Sequence, residues 1–254
     1  MQVSLFIPCT VDALLVDIGK DMVQIMAEVG FDLHYHKDQI CCGQPALTAG
    51  YIEEAKKSAK RFIEIFEKDE YVVSVSGSCV NTVKNDYCKI LVDEPGWLKR
   101  AEALSEKIFE FSQFMVDVAK ITDVKAQFDG KVAYHHSCHL LRGLGVQEQP
   151  MEMLSAVKDI ELVPLNGAED CCGFGGQFAL KYPYISEALV RDKVKNFIAS
   201  GAEYLILADP GCLLNISGYL HRHHPDRTAM HLVSFLAKHM EKGVLNNESK
   251  SLVV

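Results

Sequence analysis

Eight of the nine cysteines in this 254-residue chain fall into two sets with nearly the same spacing. Each set has a single cysteine, then an adjacent pair followed by glycine, then another single cysteine. The pair follows the first cysteine by 32 residues in one set and by 33 in the other. Thiolates are preferred ligands of iron–sulfur clusters and structural zinc, so the pattern predicts two metal centres. The two sets are Cys9, Cys41, Cys42 and Cys79, and Cys138, Cys171, Cys172 and Cys212.

The two halves of the chain also match outside the cysteines. Apolar runs at 3–9 and 132–138 each end in the first cysteine of a set. Matching segments that end at Ala55 and Ala188 each lie 24 residues before the last cysteine of their set. A constant offset of this kind indicates an internal duplication. We therefore predict three regions: a first unit at 1–125, a second unit at 126–241 and a flexible tail at 242–254.

Short apolar runs alternate with amphipathic segments inside each unit, which predicts an α/β fold with βαβ units and parallel sheets. The carboxyl ends of parallel strands share one edge, so the four distant thiols of a unit should meet there. Gly43 and Gly173 permit the backbone turn that would point two adjacent thiols at one centre. The first unit is predicted as strands 3–7, 32–36 and 72–76 and helices 11–29 and 52–66, with helical material at 93–120. The second unit is predicted as strands 132–136, 161–164 and 204–207 and helices from about 149, at 185–199 and at 230–236.

Several interpretations of the cysteine sets stay open at this point. Iron–sulfur clusters are favoured over zinc because neither unit contains the Cys-x2-4-Cys knuckle usual in zinc sites. Zinc in one unit and a redox-active disulfide at each adjacent pair are the alternatives. Cys88 has no counterpart in the second half, and we interpret it as a structural thiol.

Polar residues near Cys138 are candidate catalytic groups. His135 and His139 flank this cysteine, and an imidazole there can donate to a cluster or carry protons. Arg142 can hold a carboxylate through a bidentate contact. The competing interpretations are a hydrogen-bonded core histidine and a surface arginine. Residues 173–176 match neither nucleotide-binding fingerprint, and we interpret them as backbone wrapped around a cluster.

Charge and composition argue against several classes of function. A net charge of −8 offers no basic surface for nucleic acid. No run of about 18 apolar residues suggests a membrane span, and the first residues do not resemble a secretory signal. We therefore expect a cytoplasmic protein, in which thiols stay reduced and available to metal.

The cysteine pattern resembles that of the cysteine-rich CCG-domain iron–sulfur proteins, over essentially the whole chain to about residue 238. Within that family the lactate-utilization type is the nearest resemblance. This likeness implies two 4Fe-4S clusters on the eight cysteines and an electron-transfer role in oxidising L-lactate to pyruvate. It also implies two partners, a ferredoxin-like iron–sulfur subunit and a further lactate-utilization subunit. The motifs that carry it are Phe6-Ile-Pro-Cys9, Gln39-Ile-Cys-Cys-Gly-Gln-Pro45 and Glu169-Asp-Cys-Cys-Gly-Phe-Gly-Gly176.

One departure from the wider family bears on the cluster type. In the CCG-domain subunit of heterodisulfide reductase, the last cysteine of a unit belongs to a Cys-x-x-Cys pair that gives a fifth thiolate for a noncubane cluster. Thr82 and Asn215 stand at that position here, which favours a cubane cluster. No flavin or nicotinamide fingerprint occurs in the sequence, so we expect electrons to be passed singly. The alternatives are a catalytic subunit of a heterodisulfide-reductase-like or 2-hydroxy-acid oxidoreductase complex and a structural zinc-binding assembly protein.

Overall fold

Two four-stranded, fully parallel sheets form the framework of the protein in the computed structural model, which describes residues 1–241. The strand order is β2-β1-β3-β4 in the first sheet and β6-β5-β7-β8 in the second, so both sheets have the same topology. The predicted α/β fold with two repeated parallel units is confirmed. The strands are β1 (Gln2–Phe6), β2 (Asp32–Tyr35), β3 (Val72–Ser74), β4 (Ile108–Glu110), β5 (Gln127–Tyr134), β6 (Lys158–Leu162), β7 (Tyr204–Leu207) and β8 (Thr228–His231).

Helices follow the strands and cover the sheets, as expected where strands run parallel. Short π-helical turns occur at Thr82–Asp86, Phe114–Val118 and His139–Leu144. In the first unit the α-helices are α1 (Cys9–Leu14), α2 (Val16–Val29), α3 (Gln44–Thr48), α4 (Ile52–Phe66), α5 (Gly77–Asn81), α6 (Tyr87–Ile90), α7 (Pro95–Ser105) and α8 (Phe111–Gln113). In the second unit they are α9 (Glu148–Ser155), α10 (Gln177–Lys181), α11 (Pro183–Ser200), α12 (Pro210–His223) and α13 (Leu232–His239).

The main hydrophobic core continues from one unit into the other. Val3 and Leu5 of β1 belong to the same buried cluster as Val132 of β5 and Leu205 of β7. The final helix of each unit also packs against the first long helix of the other, α13 on α2 and α8 on α9. This reciprocal exchange joins the units and brings the carboxyl ends of their strands together.

Three of the predicted helical segments differ in the structure. The helix expected at 11–29 is broken at Leu15, which has φ −132° and ψ 43° and separates α1 from α2. The material at 93–120 is not all helical, since it includes β4, and the helix expected from 230 begins after β8. Both β4 and β8 lie at a sheet edge and have only three or four residues, too few to show a clear period of two. The predicted tail at 242–254 lies outside the described residues.

Candidate metal centres

All eight patterned cysteines line a single cavity where the two units meet. Its volume is about 290 Å³. Cys9 is exposed at this cavity, whereas the second cysteine of each adjacent pair and the last cysteine of each set are buried. The sequence predicted a thiol cluster in each unit, and the structure brings both clusters to one cavity.

Helix N-termini hold the single cysteines. Cys9 is the first residue of α1, and Cys79 and Cys212 lie in the first turns of α5 and α12. Cys138 directly precedes the π-helical turn at His139–Leu144. The partial positive charge and free N–H groups of a helix start stabilise a nearby thiolate. The fold thus brings several helix starts to the wall of the cavity that these cysteines line.

Asp209 couples the two units beside the last cysteines. Its Oδ1 accepts hydrogen bonds from the N–H groups of Gly211 (3.0 Å) and Cys212 (3.4 Å), which caps α12. Its Oδ2 accepts a hydrogen bond from the N–H of Ser78 in the other unit (2.9 Å). This role was not predicted from the sequence, although aspartate followed directly by proline is a common start of a helix.

The glycine after each adjacent cysteine pair adopts a left-handed backbone, with φ +81° at Gly43 and +84° at Gly173. A Cβ at Gly173 would lie 2.5 Å from the carbonyl oxygen of Ser186, so no side chain fits there. The N–H groups of the two glycines point at sulfur, 3.5 Å from Cys41 Sγ and 3.3 Å from Cys171 Sγ. The turn therefore aims the pair into the cavity and gives one sulfur a hydrogen bond.

The thiols of the first unit are close enough to form hydrogen bonds with one another, and these bonds shift their pKa values. The Sγ atoms of Cys9 and Cys41 are 3.6 Å apart. Hydrogen bonds from the thiols of Cys42 and Cys9 lower the pKa of Cys41 to about 3. The same contacts raise the pKa of Cys9 and Cys42. Neighbouring negative charges repel, so a bound metal centre would favour ionisation of the whole set.

The second unit repeats this arrangement. The Sγ atoms of Cys172 and Cys212 are 3.0 Å apart. Hydrogen bonds from Cys138 and then Cys172 lower the pKa of Cys171 to about 2. Hydrogen bonding to Cys171 raises the pKa of both Cys138 and Cys172. Each unit therefore presents one preferred thiolate among closely packed thiols, which is a donor set suited to a metal centre.

His135 lies beside the second set of thiols. Its ring nitrogen and the sulfurs of Cys172 and Cys212 lie within 4.8 Å of one another. The side chain is 1% exposed, and burial lowers its pKa to about 3, so the imidazole is neutral. Its Nδ1 lies 3.1 Å from the carbonyl oxygen of Ala168.

Lys193 is a second polar group near these thiols, and it was not among the residues predicted from the sequence. It is 2% exposed, and burial lowers the pKa of its ammonium group. Its Nζ donates to the carbonyl oxygens of Gly167 and Ala168, in the loop that leads to Cys171. The signal was present in α11, where Lys193 falls in line with the apolar residues that face the core.

The other candidate residues lie at different depths. His139 lines the shared cavity, and its Nδ1 is 3.7 Å from Cys138 Sγ. Arg142 is exposed and lines a second cavity with His139 and Lys89. Cys88 is half-buried against a smaller apolar cluster of the first unit and does not line the shared cavity. The assignment of the eight cysteines as metal ligands stays a prediction.

Within residues 1–241, none of the helices combines the length and the apolar character needed to cross a membrane.

The sequence of this chain is similar to a known domain family and to several named proteins. The model of the CCG cysteine-rich domain matches residues 3–84 and 132–217. Lactate utilization protein A of Oceanobacillus iheyensis is 45% identical over 244 residues, which cover 96% of this chain and all of that protein. The Bacillus pumilus protein of the same name is 44% identical over 93% of this chain and 99% of its own length.

A crystal structure of a hypothetical protein from Helicobacter pylori has a similar fold. Its TM-score is 0.62 at 9% identity, with 95% of this chain and 49% of that chain covered. This likeness concerns the fold alone. Each family match contains the cysteine set of one unit, and identity above 40% extends over more than nine-tenths of the chain. The protein therefore belongs to the CCG cysteine-rich domain family.

Proposed function

We propose that this chain is a cytoplasmic iron–sulfur electron-transfer subunit of a complex that oxidises L-lactate to pyruvate. The observation that carries the proposal is the convergence of two four-cysteine sets on one cavity. Each set would hold one 4Fe-4S cluster, and such a cluster supplies one-electron transfer. The first would use Cys9, Cys41, Cys42 and Cys79, and the second Cys138, Cys171, Cys172 and Cys212.

The residues present fit such clusters. Each unit offers four thiols, two of them lie at the start of a helix or π-helical turn, and a glycine turn brings the adjacent pair together. The N–H groups of Gly43 and Gly173 donate to cysteine sulfur, and hydrogen bonds of this kind tune cluster potentials. Both sets line one cavity, which would place the two clusters on the same side of the protein.

Lactate enters the proposal through the relatives, which carry the name lactate utilization protein A. Oxidation of lactate to pyruvate releases two electrons and two protons. Two adjacent one-electron centres are suited to pass these electrons on one after the other. We expect a ferredoxin-like iron–sulfur subunit and a further lactate-utilization subunit as partners, with docking at the cavity mouth near the exposed Cys9. The negative charge of this chain favours a positively charged partner surface.

The test is lactate-dependent dye reduction under anaerobic conditions. The purified chain with filled clusters should show no turnover, whereas the complex reconstituted with both partners should reduce dye at the expense of lactate. Association should weaken as salt is raised, because exposed charges are screened. Turnover by the chain alone, or a fully active complex that lacks this chain, would overturn the proposal.

A second candidate is a catalytic subunit of a 2-hydroxy-acid oxidoreductase complex. One observation favours it: His139, Arg142 and Lys89 line an open cavity of about 550 Å³ that also reaches Cys138. These side chains would suit the carboxylate of a 2-hydroxy acid. Loss of turnover in Arg142→Met, in a chain that is active without partners, would support this candidate over the relay.

A further inference from the structure

The first strand of each unit has the same register, but it places different side chains behind the thiols. Aligning Cys9 with Cys138 matches Phe6 with His135. The Phe6 ring lies 4.7 Å from the ring of Phe62, centroid to centroid, in an apolar cluster. His135 is equally buried but is turned among polar atoms and sulfur. The duplication has therefore left an imidazole in one unit where the other has a hydrocarbon ring.

The hydrogen bonding of His135 fixes which nitrogen is free. A carbonyl oxygen only accepts, so the contact with Ala168 places the proton on Nδ1. Nε2 then carries no hydrogen and has a lone pair available for a ligand bond. It is buried and has no hydrogen-bond partner among the described residues. A buried polar atom without a partner is unusual in a folded protein and points to a ligand that completes it.

The sulfurs of Cys172 and Cys212 supply the second observation, because they and one of the two ring nitrogens of His135 lie within 4.8 Å of one another, and Nε2 is the nitrogen left without a partner. A neutral imidazole whose other nitrogen donates to a backbone carbonyl is the usual arrangement of a metal-binding histidine. We propose that His135 Nε2 is a ligand of the metal centre in the second unit, so that this centre has a mixed cysteine and histidine ligand set. The inference rests on the proposed metal centre and does not depend on lactate.

This ligand set distinguishes the two centres. The first unit offers four thiols, whereas the second offers four thiols and one imidazole. A neutral imidazole brings less negative charge to a metal than a thiolate does, and replacing thiolate by imidazole raises the potential of a cluster. A 4Fe-4S cubane has four terminal ligand positions, so His135, which lies directly after β5, would take one of them in place of a thiolate of the second set.

The test uses the full chain, purified without oxygen, with ¹⁵N-labelled histidine. Pulsed EPR on the reduced protein detects nitrogen bonded to a paramagnetic cluster, and X-ray absorption at the zinc edge detects it if the second unit holds zinc. His135→Phe introduces the residue of the first unit. His136→Ile is the matched control, because His136 is the neighbouring residue and is matched by Ile7 in the first unit. His135→Cys replaces the imidazole by another metal ligand.

We expect a directly bonded histidine nitrogen in the unaltered protein and in His136→Ile, and its loss in His135→Phe. His135→Cys should keep metal in the second unit without the nitrogen signal, and it decides the question if His135→Phe does not fold. Metal in the second unit with sulfur ligands alone, in the unaltered protein, would overturn the inference and leave the proposed function standing. Absence of metal from the second unit of the unaltered protein would overturn both.

Discussion

The two units share strand order, cysteine geometry and the glycine turn, yet their surroundings differ in polarity. The first set of thiols is backed by aromatic rings, including the fully buried Phe6 and Tyr87. The second is backed by His135 and by the ammonium group of Lys193. The duplicated backbone therefore specifies where the sulfurs meet, while a few side chains behind them set the charge around each centre.

A pair of lysines at matching positions shows how the two units differ in buried charge while they share the same fold. Alignment of Cys79 with Cys212 pairs Lys60 with Lys193. Lys60 points outward, with its Nζ 2.5 Å from Glu94 Oε2 and above the Trp97 ring. Lys193 points inward to the loop before Cys171. The same residue type thus forms a surface ion pair in one unit and a buried cation near thiols in the other.

Loss of a single ligand should have the largest effect. Cys172→Ser removes a buried thiol of the second set, and we expect the second centre to be lost, with roughly half of the bound iron, because Cys172 would be one of its ligands. Cys42→Ser should remove the other half. Cys88→Ser is the control and should leave both centres, since Cys88 does not line the cavity. Iron and acid-labile sulfide analysis of anaerobic protein measures this; equal loss in Cys88→Ser would show that the repeat alignment is wrong.

The next largest effect should come from replacing the glycine that follows each adjacent cysteine pair, and its size should differ between the two units. We expect Gly173→Ala to lose most of the second centre, because a Cβ there would lie 2.5 Å from the backbone oxygen of Ser186. Gly43→Ala should be milder, since the nearest atom is the Ser58 side chain at 2.9 Å. Gly201→Ala is the control: its φ is also positive, at +72°, but nothing lies within 4 Å of the added carbon. Metal analysis of the three proteins gives the ranking, and equal loss in all three would contradict it.

Removal of the buried charge of Lys193 should shift the reduction potential of the second centre without loss of its metal. Lys193→Met deletes a buried cation near the second set of thiols, so we expect the reduction potential of the second centre to fall. Lys60→Met is the matched control and should leave both potentials unchanged, because that charge is half-exposed and paired. Anaerobic redox titration followed by EPR measures the two potentials. A shift of the first centre alone would contradict the proposed environments.

The smallest expected effect concerns the dependence of stability on pH. Glu110 caps the start of α8 and His231 caps the start of α13, the final helices of the two units. Burial raises the pKa of Glu110 to about 7, from 4.5 in an unfolded chain. The folded protein then binds more protons between these values, so the free energy of unfolding falls as pH rises from 4.5 to about 7. Glu110→Gln should abolish that fall, on the order of 3 kcal/mol at most. Chemical denaturation at several pH values measures it, and an unchanged pH dependence would contradict the assignment.

His231 should show the opposite sign. Burial lowers its pKa to about 4, from 6.5, so the unfolded chain binds more protons between these values. Stability that is present above pH 6.5 is therefore lost as pH falls toward 4. Its Nε2 also donates to the carbonyl of Val75 in the other unit (2.9 Å). The variant His231→Gln therefore tests this hydrogen bond between the units as well as the protonation of the imidazole. Denaturation of this variant between pH 4 and 7 should show a shallower loss of stability toward acid, and an unchanged slope would contradict the assignment.

The repeat made much of this architecture predictable from sequence. Helix α4 has the bounds that its periodicity indicated, and both sheets are parallel as expected. The edge strands β4 and β8 were missed because three or four residues carry no clear period. Local pattern does not specify how two units pack, so the role of Asp209 between the units could not be predicted. His135 was a candidate from its position, but only its orphan Nε2 in the folded chain distinguishes it from a satisfied core histidine.

Two separate clusters, one in each unit, are what the proposed electron transfer requires. Native mass spectrometry of the anaerobically purified chain tests this directly, because the mass of bound iron and sulfide is read on the intact protein. We predict two 4Fe-4S clusters in the unaltered chain, and one in each of Cys42→Ser and Cys172→Ser. A chain that carries zinc without sulfide, or a single cluster lost equally in both variants, would contradict the two-cluster assignment.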